Sequence, residues 1–329
     1  MLFIDNQDVK DPALNLAIEE FAVMNLDLGE TYLLFYINEP SVIIGRNQNT
    51  FEEIDPDYVR SRGIHVVRRL SGGGAVYHDQ GNLNFSFISR SDGDSFRNFR
   101  RFTEPVIAAL HHLGVNAELT GRNDIQIGER KISGNAQYTT CGRMFSHGTL
   151  MFDVNLDDVA AALTVKAEKM ESKGIKSVRS RVANIRDYLR QDMTIQEFRR
   201  QLLPHLFPRS PLPEYRLTQP DWETIRAISE RRYRNWDWNY GRSPAFNVRR
   251  SKRFPIGLID FLLNVRNGII DECRIYGDFF GVGEIRDVEE QLIGCHYRAE
   301  DLQAALRAVD LRNYFGDIAP EDLLSLLSG

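Results

Sequence analysis

Asp124-Ile125-Gln126-Ile127-Gly128-Glu129-Arg130-Lys131-Ile132-Ser133-Gly134-Asn135-Ala136-Gln137 reads as two strands that meet at Gly128-Glu129-Arg130, a hairpin-like connection. Outward from this pair, short segments at 32–37, 42–45, 65–70, 83–88 and 148–154 also read as strands. Leu83-Asn84-Phe85-Ser86-Phe87-Ile88 alternates apolar with polar, as a half-buried strand should. Asp11-Pro12 places an Asp at N-cap and a Pro at N1, which predicts a helix running to about Leu28. Further helices fit 96–113, 195–206 and 222–233. Strands joined by hairpins, with helices interspersed, predict an α+β domain around a mixed, largely antiparallel sheet with flanking helices.

The pattern is interrupted at 241–253 by Gly, Ser, Pro and Arg, and a domain boundary is expected there, giving domains 1–243 and 244–329. Beyond it, 258–265 and 269–276 flank Asn267-Gly268, a strong hairpin signal. Helices near 288–293, 300–309 and 321–327 complete a small α+β C-terminal domain.

A chain of 329 residues, 42% apolar and 26% charged, suits two cores of unequal size. No run of about eighteen apolar residues occurs, so no membrane span is expected. Met1-Leu2-Phe3-Ile4-Asp5 lacks the basic-then-apolar stretch of a secretory signal. Cys141, Cys273 and Cys295 are odd in number and lack C-x-x-C spacing, which argues against a disulfide framework and a zinc site. A cytoplasmic location is expected. The net charge of −5 argues against a polyanion binder. Seven of the 41 basic residues are lysines, and two stretches concentrate the cations. One holds Lys173, Lys176, Arg179 and Arg181; the other runs from Arg226 to Arg253. Either reads by default as a solvated face.

Val67-Arg68-Arg69-Leu70-Ser71-Gly72-Gly73-Gly74-Ala75-Val76-Tyr77-His78-Asp79 carries three consecutive glycines just after a strand. Such a run lets backbone approach a ligand and presents N–H groups to an anion. The two arginines add charge suited to a carboxylate or phosphate. The stretch is neither a P-loop nor a dinucleotide fingerprint, and alone it reads equally well as a glycine-rich turn. Lys131 gains interest from its company, because Asn123 and Asp124 begin the strand paired with its own. A cation, an amide and a carboxylate would then face one pocket. Asp124 is a candidate magnesium ligand, since magnesium takes oxygen donors and arrives with triphosphate.

Together these motifs resemble the lipoate–protein ligase A family. Arg-Arg-x-Ser-Gly-Gly-Gly-Ala-Val-x-His-Asp is carried by 68–79, followed by Gly81-Asn82. Gly-Arg-Asn-Asp is carried by 121–124, Arg-Lys-x-Ser-Gly-x-Ala by 130–136, and His147-Gly148-Thr149-Leu150 follows. The series continues through 173–181, Trp236-Asp237-Trp238-Asn239-Tyr240-Gly241 and Pro244-Ala245-Phe246. An ordered series over most of the chain is far more specific than any one motif.

The resemblance implies the biotin/lipoate ligase-like, class II synthetase-like fold for the large domain and an accessory role for the small one. It implies ATP-dependent activation of (R)-lipoate to lipoyl-AMP, with pyrophosphate and later AMP released, and transfer of the lipoyl group to a carrier lysine in lipoate salvage. By that resemblance Lys131 contacts the acyl carbonyl and the α-phosphate. Arg69, Gly74, Ala75, Val76 and Tyr77 would bind ATP, as would Lys173, Ser177 and Arg179 of an adenylate-binding loop. Arg68, Ser71, Gly72, Gly73, His78 and Gly134 would join Lys131 around lipoate, and Asp124 would hold Mg2+. Phe85, Phe87 and Val76 are possible walls for the lipoyl chain, with core packing as the competing use. The implied partners are lipoyl domains of 2-oxoacid dehydrogenase complexes or the glycine-cleavage H protein, with no nucleic acid and no membrane. The arginines between 226 and 253 are candidates for carrier docking.

Two other readings compete. An octanoyl or lipoyl transferase of this fold would use a cysteine acyl-enzyme, but Cys141 follows Lys131 by ten residues in what reads as a loop. A non-catalytic lipoyl- or biotin-binding regulator would consume no ATP. His111-His112 reads as an ordinary helix pair, and 231–240 reads as packing against the linker rather than as a nucleic-acid surface.

Overall fold

Asp11 caps the first helix as its sequence requires, accepting from the backbone N–H groups of Ala13 at 2.8 Å and Leu14 at 3.3 Å, with Pro12 leading the helix Pro12–Asn25. The computed structural model describes residues 1–163, 181–207, 210–240 and 246–328. They divide into two units: Met1–Ile44, Phe51–Arg69 and Ala75–Asn239 form the first, and Gly45–Thr50, Leu70–Gly74 and Tyr240–Gly329 the second.

In the first unit the strands are β1 (Leu2–Asp5), β2 (Tyr32–Ile37), β3 (Ser41–Ile44), β4 (His65–Arg68), β5 (Val76–His78), β6 (Asn82–Arg90), β7 (Glu118–Thr120), β8 (Asp124–Ile127), β9 (Arg130–Thr140), β10 (Arg143–Met151) and β11 (Glu214–Tyr215). Among the described residues an eight-stranded sheet has the order β11-β1-β2-β6-β10-β9-β8-β7, and β4-β3-β5 form a smaller one. In the large sheet β1 runs parallel to β2 and β11, and the other pairings are antiparallel. The mixed, largely antiparallel α+β fold expected from the sequence is the fold found.

Alternation gives the large sheet two unlike faces. Phe35 pairs with Phe85 and Leu33 with Phe87, and their side chains join Phe102, Leu110, Phe198 and Leu202 of the helices Phe99–His112 and Ile195–Leu206 in one core. Each fully buried apolar side chain there contributes roughly 1.5–3 kcal/mol. The opposite face carries the intervening residues: Tyr36 pairs with Asn84, and Ser86 with His147. Phe85 and Phe87, buried in the apolar core, serve packing, the second of the two uses their sequence suggested.

The second unit holds β12 (Val248–Phe254), β13 (Gly257–Arg266) and β14 (Ile269–Gly277) in antiparallel order. Asn267 and Gly268, with φ of 52° and 77°, make the expected tight turn. Strand β12 replaces much of the interruption expected at 241–253. Its arginine-rich sequence is accommodated because Arg249 donates to the buried carboxylate of Asp260 on β13 at 2.6 and 3.0 Å. Phe261, Leu263, Ile275 and Phe279 pack with Val288, Leu302, Phe315 and Leu323 from four helices. Among the described residues no helix is long and apolar enough to cross a membrane.

Candidate active site

The hairpin β8–β9 is irregular in a way that makes a site. Asp124 pairs with Gly134 and Ile125 with Ser133, but Gln126 pairs with Lys131, so Ile132 is an extra residue in β9. Residues three apart in a regular strand face opposite sides; this bulge puts Gly134 on the face that Lys131 shares with Asp124. Ile132 turns into the apolar core instead. The Lys131 Nζ lies 2.9 Å from Asp124 Oδ1, with both side chains about one-third exposed (35% and 33%). A Cβ on Gly134 would stand 3.0 Å from that Nζ and 3.1 Å from its Cε, so the absent side chain makes room for the lysine. The N–H of Gly134 donates to Thr149 Oγ1 at 3.1 Å, tying the cradle to β10. Asn123, expected to face the same pocket, instead donates to the Asn135 carbonyl at 2.6 Å and accepts from the Asn135 side chain at 3.0 Å.

Lys131 also anchors returning chain. Its carbonyl accepts from the N–H of Ala183 at 3.0 Å, and it bridges Val182 in parallel. Leu163 bridges Ile54. Lys173, Ser177 and Arg179, with Lys176, lie outside the described residues. Arg181, the last cation of that stretch, is two residues before the Ala183 contact.

A buried polar cluster occupies the same first unit. Asn6 donates to Asn15 Oδ1, Asn15 to Asn38 Oδ1, each at 2.9 Å, and Asn38 Nδ2 lies 3.0 Å from His78 Nδ1. With Asn38 donating, the imidazole accepts at Nδ1 and carries its proton at Nε2. That Nε2 is buried with no partner among the described residues. Burial first, then the Arg69 and His147 charges, pushes His78 down to about 3, so the ring is neutral. His147 Nδ1 meets the buried Glu19 carboxylate at 2.9 and 3.0 Å. Burial pushes Arg69 down to about 10, with Tyr36 and Glu19 working against the shift. Asn15 and Glu19 stand four apart on the helix Pro12–Asn25, and both are buried. Two such polar residues on the buried face of an apolar helix were the sequence signal that pointed here, and the motif reading passed over it.

The remaining expected residues have partners within their own units. Arg68 is buried, and its guanidinium donates to the carbonyls of Trp238 at 2.8 Å and Asn239 at 3.2 Å, while Trp238 Nε1 donates back to the Arg68 carbonyl at 2.8 Å. Tyr77 donates to Asp158 Oδ2 at 3.4 Å, and Tyr58 reaches the other oxygen at 2.6 Å. Ser71, Gly72, Gly73 and Gly74 belong to the second unit, where the Ser71 carbonyl accepts from the N–H of Arg46 at 2.9 Å. Gly73 has φ 89°, and a Cβ on Gly45 would collide with its carbonyl oxygen, so these turns pass too closely for side chains. Ala75 and Val76 continue from that turn into β5.

Cys141 sits exposed in the turn after β9 with φ 47°. Ten residues of extended chain put it roughly 30 Å from Lys131. In the second arginine stretch, Arg232 pairs with Glu20, Arg234 with Asp11, Arg249 with Asp260 and Arg253 with Asp278. Pairing within the chain thus accounts for much of that charge.

With this geometry in view, residues 11–207 match the model of the lipoyl protein ligase A/B catalytic domain, and residues 243–327 match that of the bacterial lipoate protein ligase C-terminus. The chain belongs to the lipoate–protein ligase family. It is 61% identical to lipoate-protein ligase LplJ of Bacillus subtilis, over 99% of this chain and 100% of that one. Among solved structures it is similar to a bi-partite lipoate protein ligase of Thermoplasma acidophilum, described with its E2 lipoyl domain (34% identity, TM-score 0.65, 75% of this chain and 98% of that one). It is also similar to a lipoate-protein ligase A bound with ATP (32% identity, TM-score 0.61, 73% and 97%).

Proposed function

We propose that this enzyme activates (R)-lipoate with ATP to lipoyl-AMP and transfers the lipoyl group to a lysine of a carrier domain. The observation that carries the reading is the Lys131 ammonium seated on Gly134 beside Asp124, on the polar face of the sheet. Relatives named for lipoate ligation, and one solved with ATP, support the choice of substrates.

Attack of a carboxylate on the α-phosphate brings two anions together. Lys131 offsets charge on both and needs to take no proton. A cation already held in place lowers such a barrier without reorganising during the reaction. Arg69 and the backbone from Gly74 to Tyr77, with Lys173, Ser177 and Arg179, are assigned to the nucleotide. Ser71, Gly72, Gly73, His78 and Gly134 are assigned to lipoate. The buried Nε2–H of His78 is a donor suited to a ligand polar group. Arg68 is assigned to holding Trp238 and Asn239 rather than to ligand contact.

Asp124 would hold Mg2+ arriving on the triphosphate. Among the described residues no group of three His, Cys, Asp or Glu could cage a metal. A single carboxylate fits an ion whose other ligands are phosphates and water. Such an ion would supply charge neutralisation at the phosphates.

In the second step the carrier lysine takes the acyl group by proximity, with no protein nucleophile. We assign catalysis to 1–243 and an accessory role to 244–329. Lipoyl domains of 2-oxoacid dehydrogenases or the glycine-cleavage H protein are the proposed carriers, as the E2 lipoyl domain of the Thermoplasma system suggests. The cytoplasm, where ATP is supplied and three free thiols stay reduced, is the proposed compartment. Incubating a purified lipoyl domain with enzyme, ATP, Mg2+ and lipoate tests the reading by mass. One lipoyl adduct on the carrier, lost when ATP is omitted, is expected. Binding of lipoate without ATP consumption would establish the regulator instead.

A further inference from the structure

We infer that Asp158 is a positioning residue for the nucleotide half of the reaction, holding Tyr77 and, through it, the open edge of β5. The inference rests on the ligase reading, which assigns the backbone from Gly74 to Tyr77 to ATP. Strand β5 ends the small sheet β4-β3-β5, so one side of its backbone meets no strand among the described residues. Peptide groups along such an edge are donors and acceptors that a ligand can use. Where they stand depends on how the strand is held, and side chains hold β5 from both faces. On one face Asn38 Nδ2 meets His78 Nδ1 at 3.0 Å; on the other the Tyr77 hydroxyl donates to Asp158 Oδ2 at 3.4 Å.

Asp158 gathers more than Tyr77. Tyr58, on the short helix Pro56–Ser61, donates to its Oδ1 at 2.6 Å, and Asn155 Nδ2 donates to its Oδ2 at 3.0 Å. A carboxylate only accepts, so three converging donors suit it. Asp79 adds a second fastening of the same strand end, accepting from the N–H groups of Gly81 at 2.8 Å and Asn155 at 2.9 Å. Asp158 stands on the helix Leu156–Ala162, whose far end is pinned as well. There the N–H of Asp55 donates to the Ala162 carbonyl at 3.1 Å, and Leu163 bridges Ile54. In sequence, the stretch that supplies Lys173, Ser177 and Arg179 leaves from this helix and ends beside Lys131, at Val182 and Ala183. Asp158 therefore sits where both segments assigned to ATP are fastened: β5 through Tyr77, and the start of that stretch through its own helix. His78, assigned to lipoate, keeps its separate anchor at Asn38, so releasing Tyr77 disturbs the ATP side alone.

The test measures lipoate-dependent pyrophosphate release by full-length wild type, Asp158→Ala, Tyr77→Phe and the double variant. ATP is varied at saturating lipoate, and then lipoate at saturating ATP. One hydrogen bond's net worth corresponds to roughly a two- to tenfold change, so KM for ATP is expected to rise about fivefold in each single variant. KM for lipoate and kcat are expected to stay close to wild type, a split that a general loss of structure does not produce. The double variant is expected to match Asp158→Ala, because the two changes remove the same contact. Tyr77→Phe keeps the buried ring and loses only the hydroxyl, so it decides the matter where Asp158→Ala fails to fold. An unchanged KM for ATP in Tyr77→Phe, or KM values for ATP and lipoate that rise together, overturns the inference and leaves the ligase reading standing. Wild type that releases no pyrophosphate with lipoate and ATP overturns both.

Discussion

The Lys131 ammonium and the Asp124 carboxylate are 2.9 Å apart beside Gly134, which one extra residue in β9 between the pairs Ile125–Ser133 and Gln126–Lys131 brings opposite Asp124. Without the extra residue the turn would still set Lys131 on the face of Asp124, but Ser133 rather than Gly134 would stand opposite that carboxylate. Catalytic geometry and core packing are therefore set by the same irregularity.

Gly134→Ala tests the cradle. The new methyl would meet the flexible end of Lys131, not backbone, so folding is expected to be little affected while the ammonium is displaced. Lipoate-dependent pyrophosphate release should fall by about ten- to a hundredfold, roughly 1.4–2.7 kcal/mol of barrier, with a melting temperature close to wild type. Loss of both together would mark Gly134 as structural.

Cys141→Ser is expected to keep full activity. Its thiol is exposed at the far end of β9 from Lys131. Intact mass of the enzyme during turnover should show no thioester, and a lipoyl or octanoyl adduct on Cys141 would reinstate the transferase reading.

His78 gives a pH dependence with a defined sign. Its folded value, about 3, lies below the unfolded value of about 6.5. The unfolded chain therefore binds the extra proton between those limits, and stability present above pH 6.5 is lost as pH falls toward 3. The slope is at most about 1.4 kcal/mol per pH unit. Between pH 6.5 and 5, chemical denaturation should show wild type losing up to roughly 2 kcal/mol more than His78→Gln. Parallel losses would mean that His78 does not set this slope.

Salt dependence probes the arginines between 226 and 253. Since Arg232, Arg234, Arg249 and Arg253 already face acidic side chains of this chain, only a shallow fall in transfer rate with added salt is expected. A steep fall, measured with preformed lipoyl-AMP and carrier, would restore a docking role to that stretch.

Much of the fold was legible where local chemistry is decisive. Asp11-Pro12 capped a helix, Asn267-Gly268 turned a hairpin, and the alternation across 83–88 put Phe85 and Phe87 on the apolar side. The polar side with Asn84 and Ser86 is buried too, so the strand is not the half-buried one expected. The Lys131–Asp124 pairing was legible too, because the turn between them is short. What escaped depended on distant partners. Arg68 is claimed by residues 170 and 171 positions later, and Glu19 meets His147 across 128. Strand β12 looked like a linker because its arginines suit a strand only once Asp260 is buried opposite them. The bulge is invisible to a period-two pattern, which would set Lys131 and Gly134 on opposite faces.

The most direct measurement is lipoate-dependent pyrophosphate release by Lys131→Ala, followed beside wild type at matched folded concentration. A fall of at least a hundredfold with an unchanged circular dichroism spectrum is expected, in line with removal of one preorganised charge from a transition state. Release at the wild-type rate would mean that lipoate is activated somewhere other than beside Lys131.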